Sequence, residues 1–407
     1  MKIETLPKEF EDARNVLETI ESAGYQAYFV GGCVRDLLLK RNLHDIDIAT
    51  SAYPEEIKKI FPKTVDTGIK HGTVTVLQDK NSYEITTFRT ESGYQDYRRP
   101  DKVTFVRQLS DDLKRRDFTI NALALDIHGQ IIDLFNGIND LNQHVIRAVG
   151  NPNERFNEDA LRMMRAVRFS SQLGFDIENE TFLAIKNYAY LLNKISIERI
   201  RDEFLKLMQG RYAQKGLTQM IQTELARYCP GFDGHLIDMS TIASLIKNKK
   251  MNEIEIWTMV AYHFGFSEQD TNHFLREWKV SNKEIKLTEC ALKVVYAQQN
   301  YQITGDLLLN LNKESIIAGV HVAQISGFHY WSLDKWLLNY NDLPIHNKNE
   351  LDITGTDIIQ KLNIEPGPKI GKILDKTVGA VINKKVKNNF DLLLSYIKEH
   401  ILNDLVD

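Results

Sequence analysis

Ala27-Tyr28-Phe29-Val30-Gly31-Gly32-Cys33-Val34-Arg35-Asp36-Leu37-Leu38-Leu39, followed shortly by Asp45-Ile46-Asp47, decides how the chain reads. The apolar run around Phe29 predicts a strand over 26–31, and the leucines predict a short helix over 34–39. Asp45-Ile46-Asp47 predicts a second strand over 44–49. Side chains alternate along a strand, so this reading places Asp45 and Asp47 on one face and Ile46 on the other.

Two hard oxygen ligands on one face are what Mg²⁺ requires. Two glycines let backbone approach a phosphate chain and offer amide donors to it. A glycine pair alone is mostly a turn, and Asp-x-Asp alone is mostly a solvated strand face. In the order strand, Gly-Gly, helix, Asp-x-Asp they specify metal and triphosphate together, and so point to nucleotidyl transfer.

With 407 residues, 43% of them hydrophobic, the chain has length for two or more domains with ordinary cores. A net charge of -4 excludes a bulk nucleic-acid binder, so an RNA partner needs local basic patches. Cys33, Cys229 and Cys290 are odd in number and far apart, which predicts reduced thiols in the cytoplasm rather than disulfides or zinc. The start of the chain has no signal-peptide core, and no run approaches a membrane helix. A soluble, cytoplasmic protein is expected.

Residues 1–150 mix strands and helices, and the text is helical almost throughout from about 155. An amphipathic helix is expected from Glu9 to Ala23, with Phe10, Ala13, Val16, Leu17 and Ile20 on one face. Further strands are expected at 73–77, 82–88 and 103–106, a helix at 54–60, and a turn from Asp133 to Leu141. Phe88 to Pro100 reads as a polar, Gly-containing loop. Asn157 is expected to cap a helix running through Glu158, Asp159 and Ala160 to Phe169. On it Ala160, Leu161, Met164 and Val167 form one face, and Asp159, Arg162, Arg165 and Arg168 drift around the other. Three arginines against one aspartate leave positive charge that suits a triphosphate and a base. Near the end, Pro366-Gly367-Pro368-Lys369 opens a helix that carries Lys372 and leads to Lys384 and Lys385. That patch is either a phosphate-binding surface or a solvated helix.

The Gly31-Gly32 and Asp45-x-Asp47 elements together resemble the nucleotidyltransferase superfamily of DNA polymerase β type. Arg115-Arg116-Asp117 and the Glu158-Asp159-x-x-Arg162 helix narrow the resemblance to the bacterial-type (class II) CCA-adding tRNA nucleotidyltransferases. The resemblance implies addition of C, C and A to tRNA 3′ ends from CTP and ATP, without a nucleic-acid template, by two-metal chemistry on Mg²⁺. It implies Asp45 and Asp47 as metal ligands. Glu84 is either a third carboxylate or an exposed strand residue. Gly32 and Arg35 would hold the triphosphate, though Arg35 has an ion pair with Asp36 or Asp45 as its alternative. Arg116 would contact the nucleotide, with Asp117 and Asn121 fixing the loop and sugar environment. Asp159 and Arg162 would read the base edge, with Arg165 and Arg168 lining the same pocket. Arg199 to Leu205 resembles a further family motif that steadies the neck. Phe88 to Pro100 would be a mobile loop needed for adding the final A, and Lys369, Lys372, Lys384 and Lys385 would grip tRNA.

The implied fold is α+β: a mixed α/β head at 1–150, then a helical neck at 151–210, body at 211–290 and tail at 291–407. A homodimer follows family habit. The alternatives are a poly(A) polymerase, an enzyme adding only CC or only A, and a non-catalytic RNA-binding protein. Retention of Asp45, Asp47, Arg116 and Asp159 argues against the last. His263 and His321 lack the pattern of an appended His-Asp phosphohydrolase domain.

Overall fold

The computed structural model describes residues 1–43, 45–78, 81–95 and 99–402. The chain divides into two compact units, Met1–Lys250 and Met251–Asp407.

In the first unit, α1 (Lys8–Ser22) buries Phe10, Ala13, Val16, Leu17 and Ile20, the face expected from its spacing. It leads to β1 (Ala27–Val30), with Phe10 packed edge-on against Phe29 at 4.9 Å between ring centroids. There follow α2 (Gly32–Leu38), β2 (Asp47–Thr50), α3 (Pro54–Ile60), β3 (Thr64–Gly68), β4 (Thr73–Gln78) and β5 (Asn81–Thr87). Then come β6 (Arg89–Gln95), β7 (Arg99–Phe105), α4 (Leu109–Lys114), β8 (Leu123–Leu125), β9 (Ile131–Asp133) and α5 (Gly137–Gln143). The main sheet runs β3-β4-β5-β2-β1-β8-β9. Only its β2–β5 pairing is parallel.

Three local expectations change. Pairing of the second strand begins at Asp47, so Asp45 precedes it and strand alternation does not govern its direction. Asp133 to Leu141 is more than a turn. It holds the end of β9 and most of α5, joined where the Asp133 carboxylate accepts from the Gly137 and Ile138 amides at 2.8 and 2.9 Å. The polar stretch after Phe88 is an antiparallel ribbon of β6 and β7, separate from the main sheet. Asp96, Tyr97 and Arg98, which follow β6 in the sequence, lie outside the described residues.

The helical part of this unit opens with α6 (Pro152–Glu158) and α7 (Leu161–Leu173), followed by α8 (Asn179–Tyr188) and α9 (Ile197–Met208). The single helix expected from Asn157 is therefore two. Asn151 caps the first, with its side chain accepting from Asn153 N at 3.0 Å. Asp159 is extended (φ -141°, ψ 101°), and its carboxylate accepts from Leu161 N at 3.0 Å as the second begins.

The second unit is helical among its described residues. One core gathers around Trp336 and another around Ile358, Ile373 and Val381. Lys369 stands in the first turn of the helix Pro368–Ile382, as the Pro-Gly-Pro sequence predicts. No helix among the described residues is long and apolar enough to cross a membrane. All three cysteines are buried and free.

Candidate active site

The head and the first neck helices enclose a cleft of about 1120 Å³. Gly32, Arg35, Asp47, Glu84, Arg116, Asp159, Arg162, Arg165 and Arg168 all line it, so nine of the ten expected nucleotide and catalytic positions converge. Asp45 is exposed, and it is not among the lining residues.

Backbone enters first. Gly31 has φ +73° and ψ -127°, and a Cβ built there would stand 2.7 Å from Arg116 Nη1. The missing side chain thus permits both the turn from β1 into α2 and the close approach of Arg116. Gly32 is different, since the nearest atom to its Cβ position is Arg35 Nη2 at 3.7 Å. Arg35 donates to Asp36 through Nε and Nη2 at 3.0 and 2.9 Å, and to Asn121 Oδ1 through Nη1 at 2.7 Å. It therefore both lines the cleft and makes the ion pair with Asp36.

Asp47 and Glu84 are register partners on the parallel strands β2 and β5, so their side chains leave the same face of the sheet. Burial raises the Asp47 carboxyl above its ordinary value, Arg116 opposes the rise, and Glu84 and Asp45 add to it. Glu84 is accordingly a member of the site wall, and Asp45 acts on Asp47 from the loop before β2.

The facing wall is cationic, and its cations are held. Asp112, on α4 and almost fully buried, accepts from Arg115 Nη2 at 2.8 Å and from Arg116 Nη2 at 3.1 Å. Burial works to raise this carboxyl, but the two guanidinium groups outweigh it and leave it below the ordinary range. Asp117 accepts from Arg165 Nε at 2.7 Å, Asn121 Nδ2 at 3.0 Å and Phe118 N at 2.8 Å. Against the cost of burial, these partners bring it down to about 2. Arg162 donates to Glu158 at 2.8 Å and to the Arg115 carbonyl at 2.9 Å, and Arg168 pairs with Glu203 at 2.6 Å. The positive excess expected on α7 is thus compensated by carboxylates from other elements: Glu158, Asp117 and Glu203. Three of these guanidinium groups also gather on Phe169, with Arg168, Arg35 and Arg165 at 4.2, 5.2 and 5.4 Å from its ring centre. Asp159 sits where the two neck helices meet. Burial raises its carboxyl, opposed by Arg162, the Leu161 amide, Arg165 and Arg199.

Known proteins carry the same organisation. The model of the poly A polymerase head domain matches residues 27–147. A model described as an RNA and SrmB-binding site of polymerase A matches 174–236, and tRNA nucleotidyltransferase domain 2 matches 249–397. The CCA-adding enzyme of Limosilactobacillus reuteri is 50% identical over 401 residues, 98% of this chain and 99% of its own. That of Pediococcus pentosaceus is 49% identical over 394 residues, 97% of this chain and 99% of its own. The crystal structure of the Bacillus stearothermophilus CCA-adding enzyme in complex with CTP superposes with a TM-score of 0.86. It is 37% identical and covers 98% of this chain and 99% of that one.

The chain belongs to the CCA-adding enzymes. It is a nucleotidyltransferase with the family's mixed-sheet head and largely helical remainder. Nucleotidyltransferases of this family work with a divalent cation, and the donor set fits one. Asp47 and Glu84 form a carboxylate pair, and the Glu84 charge adds to the rise that burial imposes on Asp47. Among the described residues no three His, Cys, Asp or Glu side chains gather closely enough to hold an ion. Two carboxylates suffice for a divalent cation that completes its shell with water and substrate phosphates.

Sequence reading missed Asp112 altogether, and it placed Arg89, Phe169 and Arg199 in the polar stretch, the arginine helix and the neck motif without giving them a part in this cleft. Asp112 had a signal, since it lies three and four residues before Arg115 and Arg116, the spacing of helical ion pairs. Phe169 had a weaker one, four residues after Arg165 on the same helix. Arg89 had its place in the polar stretch after Phe88, and Arg199 its place at the head of the neck motif.

Proposed function

We propose that this chain adds C, C and A to the 3′ end of tRNA from CTP and ATP, without a nucleic-acid template and with release of pyrophosphate. The observation that carries the reading is a single cleft in which Asp47 and Glu84 on the sheet face Asp159 and Arg162 on the neck. Asp47, with Asp45 and Glu84, would hold Mg²⁺. The cation would stabilise the charge that develops as the RNA 3′-hydroxyl displaces pyrophosphate. Gly32, Arg35 and Arg116 would bind the triphosphate, and their tethers to Asp36, Asn121 and Asp112 fix the donors before substrate arrives.

Asp159 and Arg162 would select the base. Cytosine and adenine each place an exocyclic amino donor beside a ring-nitrogen acceptor. Uracil and guanine reverse both groups. A carboxylate beside a guanidinium matches the first pair and opposes the second, a difference of about 1–3 kcal/mol for a bidentate contact. Arg162 is anchored to Glu158 and to the Arg115 carbonyl, which keeps it from following the wrong base. Arg165 and Arg168 would complete the pocket.

In this reading catalysis belongs to 1–150, selection to 151–210, the helical body to 211–290, and tRNA binding to 291–407 through Lys369, Lys372, Lys384 and Lys385. A cytoplasmic location, supported by three free buried thiols, and a homodimer belong to the same proposal. The test is incubation of tRNA lacking its 3′ end with one labelled nucleotide at a time. CTP alone should extend by two residues and ATP should then add one. A long A tract would establish the poly(A) polymerase alternative. Equal use of UTP and GTP would refute base selection at Asp159.

A further inference from the structure

We propose that Arg199, which nothing above places in catalysis, is a phosphate-binding residue of the cleft; the inference rests on the nucleotidyl-transfer reading. Eight arginines line the cleft. Six of them have a carboxylate partner, and Arg89 donates to the His71 carbonyl. Arg199 is exposed and, among the described residues, has neither an ion pair nor a side-chain hydrogen bond. The acids that helical spacing would offer it are taken: Asp202 pairs with Arg201 at 3.4 Å, and Glu203 pairs with Arg168 at 2.6 Å.

Its position also runs against the local field. Arg199 stands in the first turn of α9, at the positive end of the helix dipole, where a cation weakens the helix. Helix stability therefore does not account for it, and among the described residues no acid closes an ion pair with it; Asp159 feels its charge from a distance. An unneutralised guanidinium fork inside a cleft, beside the amide-rich end of a helix, is arranged for an anion with several oxygens. Its charge reaches the Asp159 carboxylate, which places it toward the base-selecting side. The phosphate it binds comes either from the incoming nucleotide or from the backbone of the RNA strand.

The experiment compares the full chain with Arg199→Met, which keeps the stem and loses the charge, and Arg199→Lys, which keeps charge and loses the fork. KM for CTP, KM for ATP, KM for tRNA and kcat are measured, with thermal melting of each variant. Arg199→Met should raise one class of KM at least tenfold with kcat within twofold and melting unchanged, and Arg199→Lys should recover part of the loss. If the phosphate is the nucleotide's, both KM values for CTP and ATP rise alike and the salt dependence of tRNA binding is unchanged. If it is the RNA's, KM for tRNA rises, and the slope of log affinity against log salt flattens by about 0.7–0.9. Unchanged KM values overturn the proposal. So does an equal loss of melting temperature in both variants, which would mark a structural role, or a changed preference among bases at constant KM for CTP. Failure of the unaltered chain to add C and A would count against the activity instead; equilibrium binding of CTP, ATP and tRNA to the same three proteins then decides, with weaker binding of one class in Arg199→Met supporting the site and equal binding of all three overturning it.

Discussion

Replacing Gly31 by alanine should damage this protein far more than the same change at Gly32, though the two are neighbours in one turn. At Gly31 the backbone (φ +73°, ψ -127°) lies where a Cβ is strained, a cost of about 1–3 kcal/mol. The new Cβ would also meet Arg116 Nη1 at 2.7 Å, well inside van der Waals contact. Arg116 must swing away and give up its bond to Asp112 Oδ2 at 3.1 Å or to the Asn121 carbonyl at 3.4 Å. A bond to a charged group is worth about 1.5–3 kcal/mol, so a nucleotide that relies on the placed guanidinium should lose roughly 10- to 100-fold in KM. The strain should lower the melting temperature of the first unit by about 2–4 °C per kcal/mol. Displacing the Arg116 guanidinium also weakens its restraint on Asp47, so the acid limb of the pH–rate profile should move to higher pH. At Gly32 nothing lies closer than 3.7 Å, and Gly32→Ala should leave melting unchanged. Kinetics for CTP and ATP, with melting curves of both variants, decide the matter. Equal behaviour of the two variants, or an unaltered KM in Gly31→Ala, would refute the account of Arg116.

Asp47→Asn should cut incorporation by at least a thousandfold while tRNA still binds in a filter assay. Because the Asp47 carboxyl is raised in the fold, its ionised form weakens the fold above that value, so the variant should melt no lower than the parent at pH 7; a clear drop would contradict this. Asp117→Asn tests the opposite sign. A carboxyl brought from 3.8 to about 2 stabilises above pH 4 by about 2 kcal/mol, and this is lost as pH falls through 2. Urea unfolding should show a gap between variant and parent at pH 7 that shrinks toward pH 2, and a gap constant with pH would reject it. Removing charge at Lys369, Lys372 and Lys385 should weaken tRNA binding and flatten its salt slope by up to about 0.9 per lost contact. Lys384, already paired with Asp342 at 2.5 Å, should contribute less, and an unchanged slope would make the patch a solvated helix.

Local chemistry was legible in the residues wherever a single element carries it. The buried face of α1 follows from apolar spacing, the entry of Arg35 from its place after the glycines, and the approach of Glu84 from its strand. What the sequence hid is pairing across elements. The arginines of α7 read as unbalanced because Asp117 and Glu203 are distant in sequence, and only folding brings them to Arg165 and Arg168. The break between α6 and α7 was hidden for another reason. Glu158 and Asp159 both suit a first helical turn, and propensity does not reveal that Asp159 is extended while its side chain caps the following helix. Asp45 was misread on geometry because an Asp-x-Asp spacing says nothing about where strand pairing begins.

The lateral pairing of β2 with β5 has an evolutionary consequence. Asp47 meets Glu84 because Ile48 is opposite Ile85 and Ala49 is opposite Thr86, so the juxtaposition is inherited from the ladder rather than built by rotamers. A one-residue insertion within either strand would send one carboxylate to the far side of the sheet and bury its neighbour's place with the wrong chemistry. A lineage can therefore lengthen or shorten the connection between these strands, which includes β3 and β4, at little catalytic risk. Within 47–50 and 84–87 it can exchange residues but cannot gain or lose one.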